Sequence, residues 1–168
     1  VGRNVNLHVE KKPATPGEVV LSIKDLHVKD ERGIEQVNGF NLDIRAGEIV
    51  GLAGIDGNGQ KELADAINAL VKPESGTIAV KGEEIQGTTP KTVIDHAVAT
   101  IPSDRHRWGL VLPFTVAENM VLERHNEETF GKGIALDLAK IKEFSQKLID
   151  EFDIRPAECA DHQAVGLS

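Results

Sequence analysis

The sequence has one cysteine, no apolar run near the length of a membrane span or signal sequence, and no basic stripe interleaved with aromatics. Each absence excludes something. A lone Cys159 cannot form an internal disulfide and fits a reducing compartment, so a cytoplasmic location is expected. Nineteen basic residues against 27 acidic ones leave a net charge of −8, which argues against nucleic acid as a partner. His8, His27, His96, His106, His125 and His162 are scattered without Cys or carboxylate partners at ligand spacing, so surface or loop roles are expected for them. What remains is the composition of a soluble chain of 168 residues, long enough for one domain with a real core.

The richest segment is residues 48–63, EIVGLAGIDGNGQKEL. An apolar run at 49–53 predicts a strand, Gly54, Gly57 and Gly59 a turn, and the residues beyond a helix. The phosphate-loop pattern GxxxxGK[ST] fits at Gly54 and Gly59, but Gln60 stands at the lysine position and Lys61 at the Ser/Thr position. The glycines let backbone N–H groups approach an anion, and a helix N-terminus adds roughly half a positive charge. An anion cradle survives on paper. A lysine beside the β/γ-phosphates would add roughly 4 kcal/mol of attraction at an effective dielectric near 20, whereas Gln60 offers only hydrogen bonds. One residue along a helix turns a side chain by about 100°, so Lys61 is not a simple replacement, and its ammonium cannot ligate Mg²⁺ as a hydroxyl would. Taken alone, the segment also suits a glycine turn in some other α/β domain.

Residues 1–18 are polar and carry Lys11, Lys12, Pro13, Pro16 and Gly17, the composition of a linker or extended arm. Residues 19–28 and 34–44 are β-rich and flank a turn at 30–33, which predicts an antiparallel pair. A helix is expected over 60–70 with Leu63, Ala66, Ile67 and Leu70 on one stripe, followed by short strands at 77–80 and 83–85. Thr89 and Pro90 should cap and start a helix ending near His96, and 98–101 should be a buried strand. Thr115 and Glu118 have capping-box spacing, and 137–152 is amphipathic with Leu138, Ile141, Leu148 and Phe152 on one side.

In order along the chain stand the paired strands, AGE at 46–48, the glycine loop, PESG at 73–76, IPSDR at 101–105, TVAEN at 115–119 and a terminal GLS. This series resembles the ATPase domain of an ABC transporter over nearly the whole sequence. GIDGNGQ and the PxDR segment are most similar to the second half of tandem ATPases that serve nucleoside and simple-sugar importers. The resemblance implies an α/β P-loop fold: an antiparallel β-subdomain, a partial parallel core sheet and helices. It further implies that 1–18 is an interdomain connector and 19–168 a partial nucleotide-binding domain, cut before its last strands where the signature motif starts.

On the same resemblance ATP would lie against Gly54, Asp56, Gly57, Asn58, Gly59, Gln60 and Lys61, with Mg²⁺ doubtful at this half. Ser103 lies near the position of a magnesium-sensing Gln, with Asp104 either a substitute or a surface carboxylate. Arg32 stands near the place of an adenine-stacking aromatic; it either stacks on the base or is a solvated turn residue. Ser168 would be the signature serine serving the other half's ATP. Trp108, beside Arg105, His106 and Arg107, either anchors a contact with the membrane subunit or folds onto the core. The implied partners are the first ATPase half of the same chain, transmembrane permease subunits and, through the complex, an extracellular solute-binding protein, at the cytoplasmic membrane face. The catalytic glutamate is not in the sequence, so the chain alone is expected to be inactive. A non-hydrolytic nucleotide- or anion-sensing module is the alternative.

Overall fold

The computed structural model describes residues 13–55, 57–132 and 135–166. They form two compact units, one running to Ala99 and the other beginning at Thr100; the single-domain expectation draws no boundary there.

The first unit is built on β1 (Val19–Lys29) and β2 (Glu35–Arg45), antiparallel as expected. β3 (Ser75–Val80) pairs with the other edge of β1, and β4 (Glu83–Glu84) with β3, giving the order β2-β1-β3-β4. Ile23 and Leu26 are three residues apart, so an unbroken strand would point them to opposite faces. Both are fully buried nonetheless. The pairings Ile23↔Leu42 and Leu26↔Phe40 set three steps on β1 against two on β2, and β3 shows the same offset. A bulge at Lys24 and Asp25 therefore returns Leu26 to the inner face, with Asp25 at φ +47°. Gly76 packs against this bulge: a Cβ there would stand 2.3 Å from the Asp25 carbonyl.

Two helices cover the inner face, α1 (Gln60–Ile67) and α2 (Pro90–Asp95). Leu63 and Ala66 of α1 and Val93 of α2 join Ile23, Leu26, Val28 and Ile78 in one core. Thr89 caps α2 through its side chain, as its position before Pro90 predicts. α1 stops short of the expected 70. Ala69 adopts φ +55° and turns Leu70 out, so the stripe ends at Ile67 and Leu70 is exposed.

Two expected strands are absent. Residues 49–53 and 98–101 take part in no ladder among the described residues, and every described pairing is antiparallel, so the expected partial parallel sheet is not formed there. Apolar content makes a segment suitable for a strand, but only a neighbour that satisfies its N–H and C=O groups makes it one. Without such neighbours Ile49 is 100% exposed and Ile101 96%.

The second unit packs α3 (Val116–Met120) against α4 (Leu138–Glu151), with a two-stranded ribbon of β5 (Gly131–Lys132) and β6 (Ala135–Leu136). Thr115 and Glu118 form the expected capping box. Asn119 clamps the preceding loop: its Oδ1 accepts from the Val111 N–H at 2.8 Å and its Nδ2 donates to the Thr115 carbonyl at 2.9 Å. Asp137 caps α4 by accepting from the Lys140 N–H, and the buried face is Ile141, Ser145 and Ile149, while Leu138 and Phe152 of the expected stripe are exposed. Ser145 tolerates burial because its hydroxyl donates to the Ile141 carbonyl at 2.8 Å. Around this face lie Val116, Val121, Phe130 and Cys159.

Candidate functional site

The glycine loop leaves β2 through Ala46 and Gly47 and ends on α1. Gly59 is the last residue before the helix, with φ +87°, and Gly57 sits at +85°. Both lie in the left-handed region that favours glycine. At Gly59 there is a second constraint, since a Cβ would meet the Gln36 carbonyl at 2.3 Å. β2 thus holds the loop's last glycine against it, directly under the first turn of the helix. A Cβ at Gly57 would meet nothing within 4 Å, and this glycine is exposed. Beside the loop lies a pocket of about 260 Å³, bounded by Gln36, Val37 and Phe40 from β2, Leu52 and Gly54 ahead of the turn, and Leu63 from α1.

Gln60 folds back over the loop. Its Nε2 donates to the Ile55 carbonyl at 3.2 Å and crowds Gly54, where a Cβ would come within 2.1 Å of it. Lys61 points along the helix: its Nζ donates to Asp65 Oδ2 at 2.5 Å, one turn on. That hydrogen bond, followed by the charge of Asp65, raises the lysine above its ordinary pKa. The one cation in the loop motif is therefore already paired along the helix.

The described residues suit an anion but not a loop-bound magnesium ion. Positive-φ glycines at a helix N-terminus present backbone N–H groups to a phosphate, and the Gly57 side of the turn is open, with nothing within 4 Å of where a Cβ would stand. At the position where a hydroxyl would ligate the metal stands the Lys61 ammonium, which has no lone pair to give. Among the described residues no cluster of three His, Cys, Asp or Glu side chains could hold a metal.

Arg32 is engaged in its own turn: its N–H donates to Asp30 Oδ1 at 2.9 Å, and its Nε and Nη2 to Asp30 Oδ2 at 3.0 and 2.7 Å. Asp30 also accepts from the Ile34 N–H, and with these donors its carboxyl is held down to about 2. Ser103 is exposed in the second unit. Its neighbour Asp104 has a structural task, accepting from the N–H groups of His106 and Arg107 to start a π-helical turn over Arg105–Gly109. Trp108 on that turn is 65% exposed with the Arg107 guanidinium 4.9 Å from its ring centroid, so it is not folded onto the core. Asp56 and Ser168 lie outside the described residues, as do 1–12 of the expected arm.

Asp65 and Gln36 do not stand out in the sequence as site residues. The Lys61–Asp65 spacing of four on a helix is a readable signal. Gln36 offers none, because its role is played by its backbone carbonyl.

Residues 37–164 match the model of the ABC transporter family. The nucleoside import ATP-binding protein NupA of Lactococcus lactis is 48% identical over 94% of this chain and 31% of its own length. The guanosine import ATP-binding protein NupO of Bacillus subtilis is 42% identical over 96% of this chain and 32% of its own length. The glucose import ATP-binding protein TsgD13 of Haloferax volcanii is 37% identical over 92% and 28%. The chain thus spans about a third of the length of the curated relatives it matches. Among solved structures, a nucleotide-free ATP-binding cassette of an ABC transporter superposes with a TM-score of 0.69 at 16% identity, covering 90% of this chain and 60% of that one. A bacterial Atm1-family ABC exporter with ATP bound gives 0.60 at 20% identity, covering 94% and 26%.

Proposed function

The chain belongs to the ABC transporter family, with the fold of its ATP-binding cassettes, and from that premise we propose that it is part of the second ATP-binding half of a tandem importer ATPase for nucleosides or simple sugars. The observation that carries this reading is the 48% identity to a nucleoside import ATP-binding protein across almost the whole chain. The relatives named for guanosine and glucose import support the same solute classes. In this reading the partners are the first ATPase half, the transmembrane permease subunits and, through them, a solute-binding protein. The domain sits at the cytoplasmic face of the membrane. Among the described residues no helix is long and apolar enough to cross it.

Within the pair, this half holds nucleotide and turns over little. Backbone N–H groups around Gly57 and Gly59 bind the phosphates, and Gln60 contributes a neutral amide once it leaves the Ile55 carbonyl. Lys61 stays with Asp65 on the helix surface. In the intact protein, magnesium-assisted phosphoryl transfer to water is the chemistry that drives transport.

The test is calorimetric titration of the chain with ATP, with and without Mg²⁺, beside the Gln60→Lys, Lys61→Thr and combined variants. Mg²⁺ should tighten binding strongly only in the combined variant, which restores both the cation and the hydroxyl. Tight Mg²⁺-dependent binding, or Mg²⁺-dependent hydrolysis, by the unmodified chain would refute the degenerate-site reading.

A further inference from the structure

The loop keeps one part of a phosphate site and lacks another. Backbone N–H groups at the turn cradle the α- and β-phosphates, whereas the lysine of a complete motif reaches the β/γ-phosphates. Here the backbone part is built: Gly57 and Gly59 hold the left-handed conformation, and Gly59 is fixed against the Gln36 carbonyl. The part that would meet the γ-phosphate is neutral Gln60, whose Nε2 donates to the Ile55 carbonyl.

The charge around the loop adds to this. Lys61 is bonded to Asp65, and Glu62 and Glu31 also act electrostatically on its ammonium. The Lys61 charge is thus offset by Asp65, with Glu62 and Glu31 acting on it more weakly. Arg32, in the same turn as Glu31, is committed to Asp30. A ligand entering this loop meets a surface with an excess of negative charge, and every further charge on the ligand adds to the repulsion.

Resting on the reading of residues 54–61 as a nucleotide loop, we propose that this site is selective for nucleoside diphosphates over triphosphates. The two phosphates nearest the nucleoside find the backbone cradle. The third brings another negative charge to a place where the motif's cation is absent and the neighbours are acidic.

Titration of the 168-residue chain with ADP and with ATP, in buffer free of divalent metal, tests this directly. ADP should bind more tightly by about twofold to fourfold at low salt, the size expected for one or two net charges acting over about 10 Å with water-like screening. The preference should narrow as salt is raised, because these carboxylates are solvent-screened. The Glu31→Gln/Glu62→Gln variant should narrow it too, and Gln60→Lys should strengthen ATP more than ADP. Tighter binding of ATP than ADP by the unmodified chain, or a preference unmoved by salt and by the glutamate variant, overturns the inference while leaving the nucleotide site standing. Failure of a folded chain to bind either nucleotide overturns the nucleotide-site reading and this inference together.

Discussion

The antiparallel sheet and the segment leading into the glycine loop are both apolar and β-rich, yet they fare oppositely. In the sheet, Ile23, Leu26, Val28 and Ile78 are fully buried, while Ile49 a few residues past the end of β2 is fully exposed. Burial here follows pairing. β1 has a ladder on each side and a helix-covered face; residues 49–53 have none among the described residues. The difference teaches that an apolar run states what a segment can become, and its neighbours state whether it does.

The largest expected effect separates these two regions. Leu26→Ala and Ile78→Ala should each cost roughly 2–5 kcal/mol in urea unfolding of the chain, since both leave a cavity in the sheet core. Ile49→Ala should stay within about 0.5 kcal/mol. Equal costs at Ile78 and Ile49 would show that the comparison is wrong and that 49–53 is packed.

The next effect tests where the loop is tied to the sheet. Gly59→Ala should cost roughly 2–5 kcal/mol, because it adds to the strain of a left-handed backbone a Cβ driven onto the Gln36 carbonyl. Gly57→Ala meets no neighbour and should cost about 1–2 kcal/mol from conformation alone. If the two variants melt alike, β2 does not hold the loop.

The smallest effect concerns the turn between β1 and β2. Asp30 has a folded-state pKa of about 2 against an ordinary 3.8, held down first by the Ile34 N–H and then by Arg32. A depressed carboxyl stabilises the fold above its unfolded pKa, and that contribution fades as pH falls from 3.8 toward 2. The unfolding midpoint of Asp30→Asn should therefore approach that of the unmodified chain across this window. A constant gap down to pH 2 would mean that the ionised carboxylate adds nothing to the turn.

Much of the fold could be read from local chemistry. Thr89 before Pro90 and the Thr115–Glu118 box each name a helix start, because a cap needs only residues within one turn. The glycine loop was legible for the same reason. The details that fix the loop's chemistry were less so: Gln60 turning onto Ile55 depends on the path of the preceding backbone, and Gly59 depends on a carbonyl from β2.

By itself the sequence determined the glycine loop with its displaced lysine, the antiparallel pair and the capped helices, all set by interactions between residues close in the chain. Tertiary structure decided the rest. It placed a bulge at Lys24 and Asp25 so that Leu26 could reach the core, buried Ser145 and Ile149 of α4 while exposing Phe152, and left 49–53 outside any ladder among the described residues. Those outcomes depend on which surface lies opposite a residue, and a strand or helix face has no inside until something packs against it.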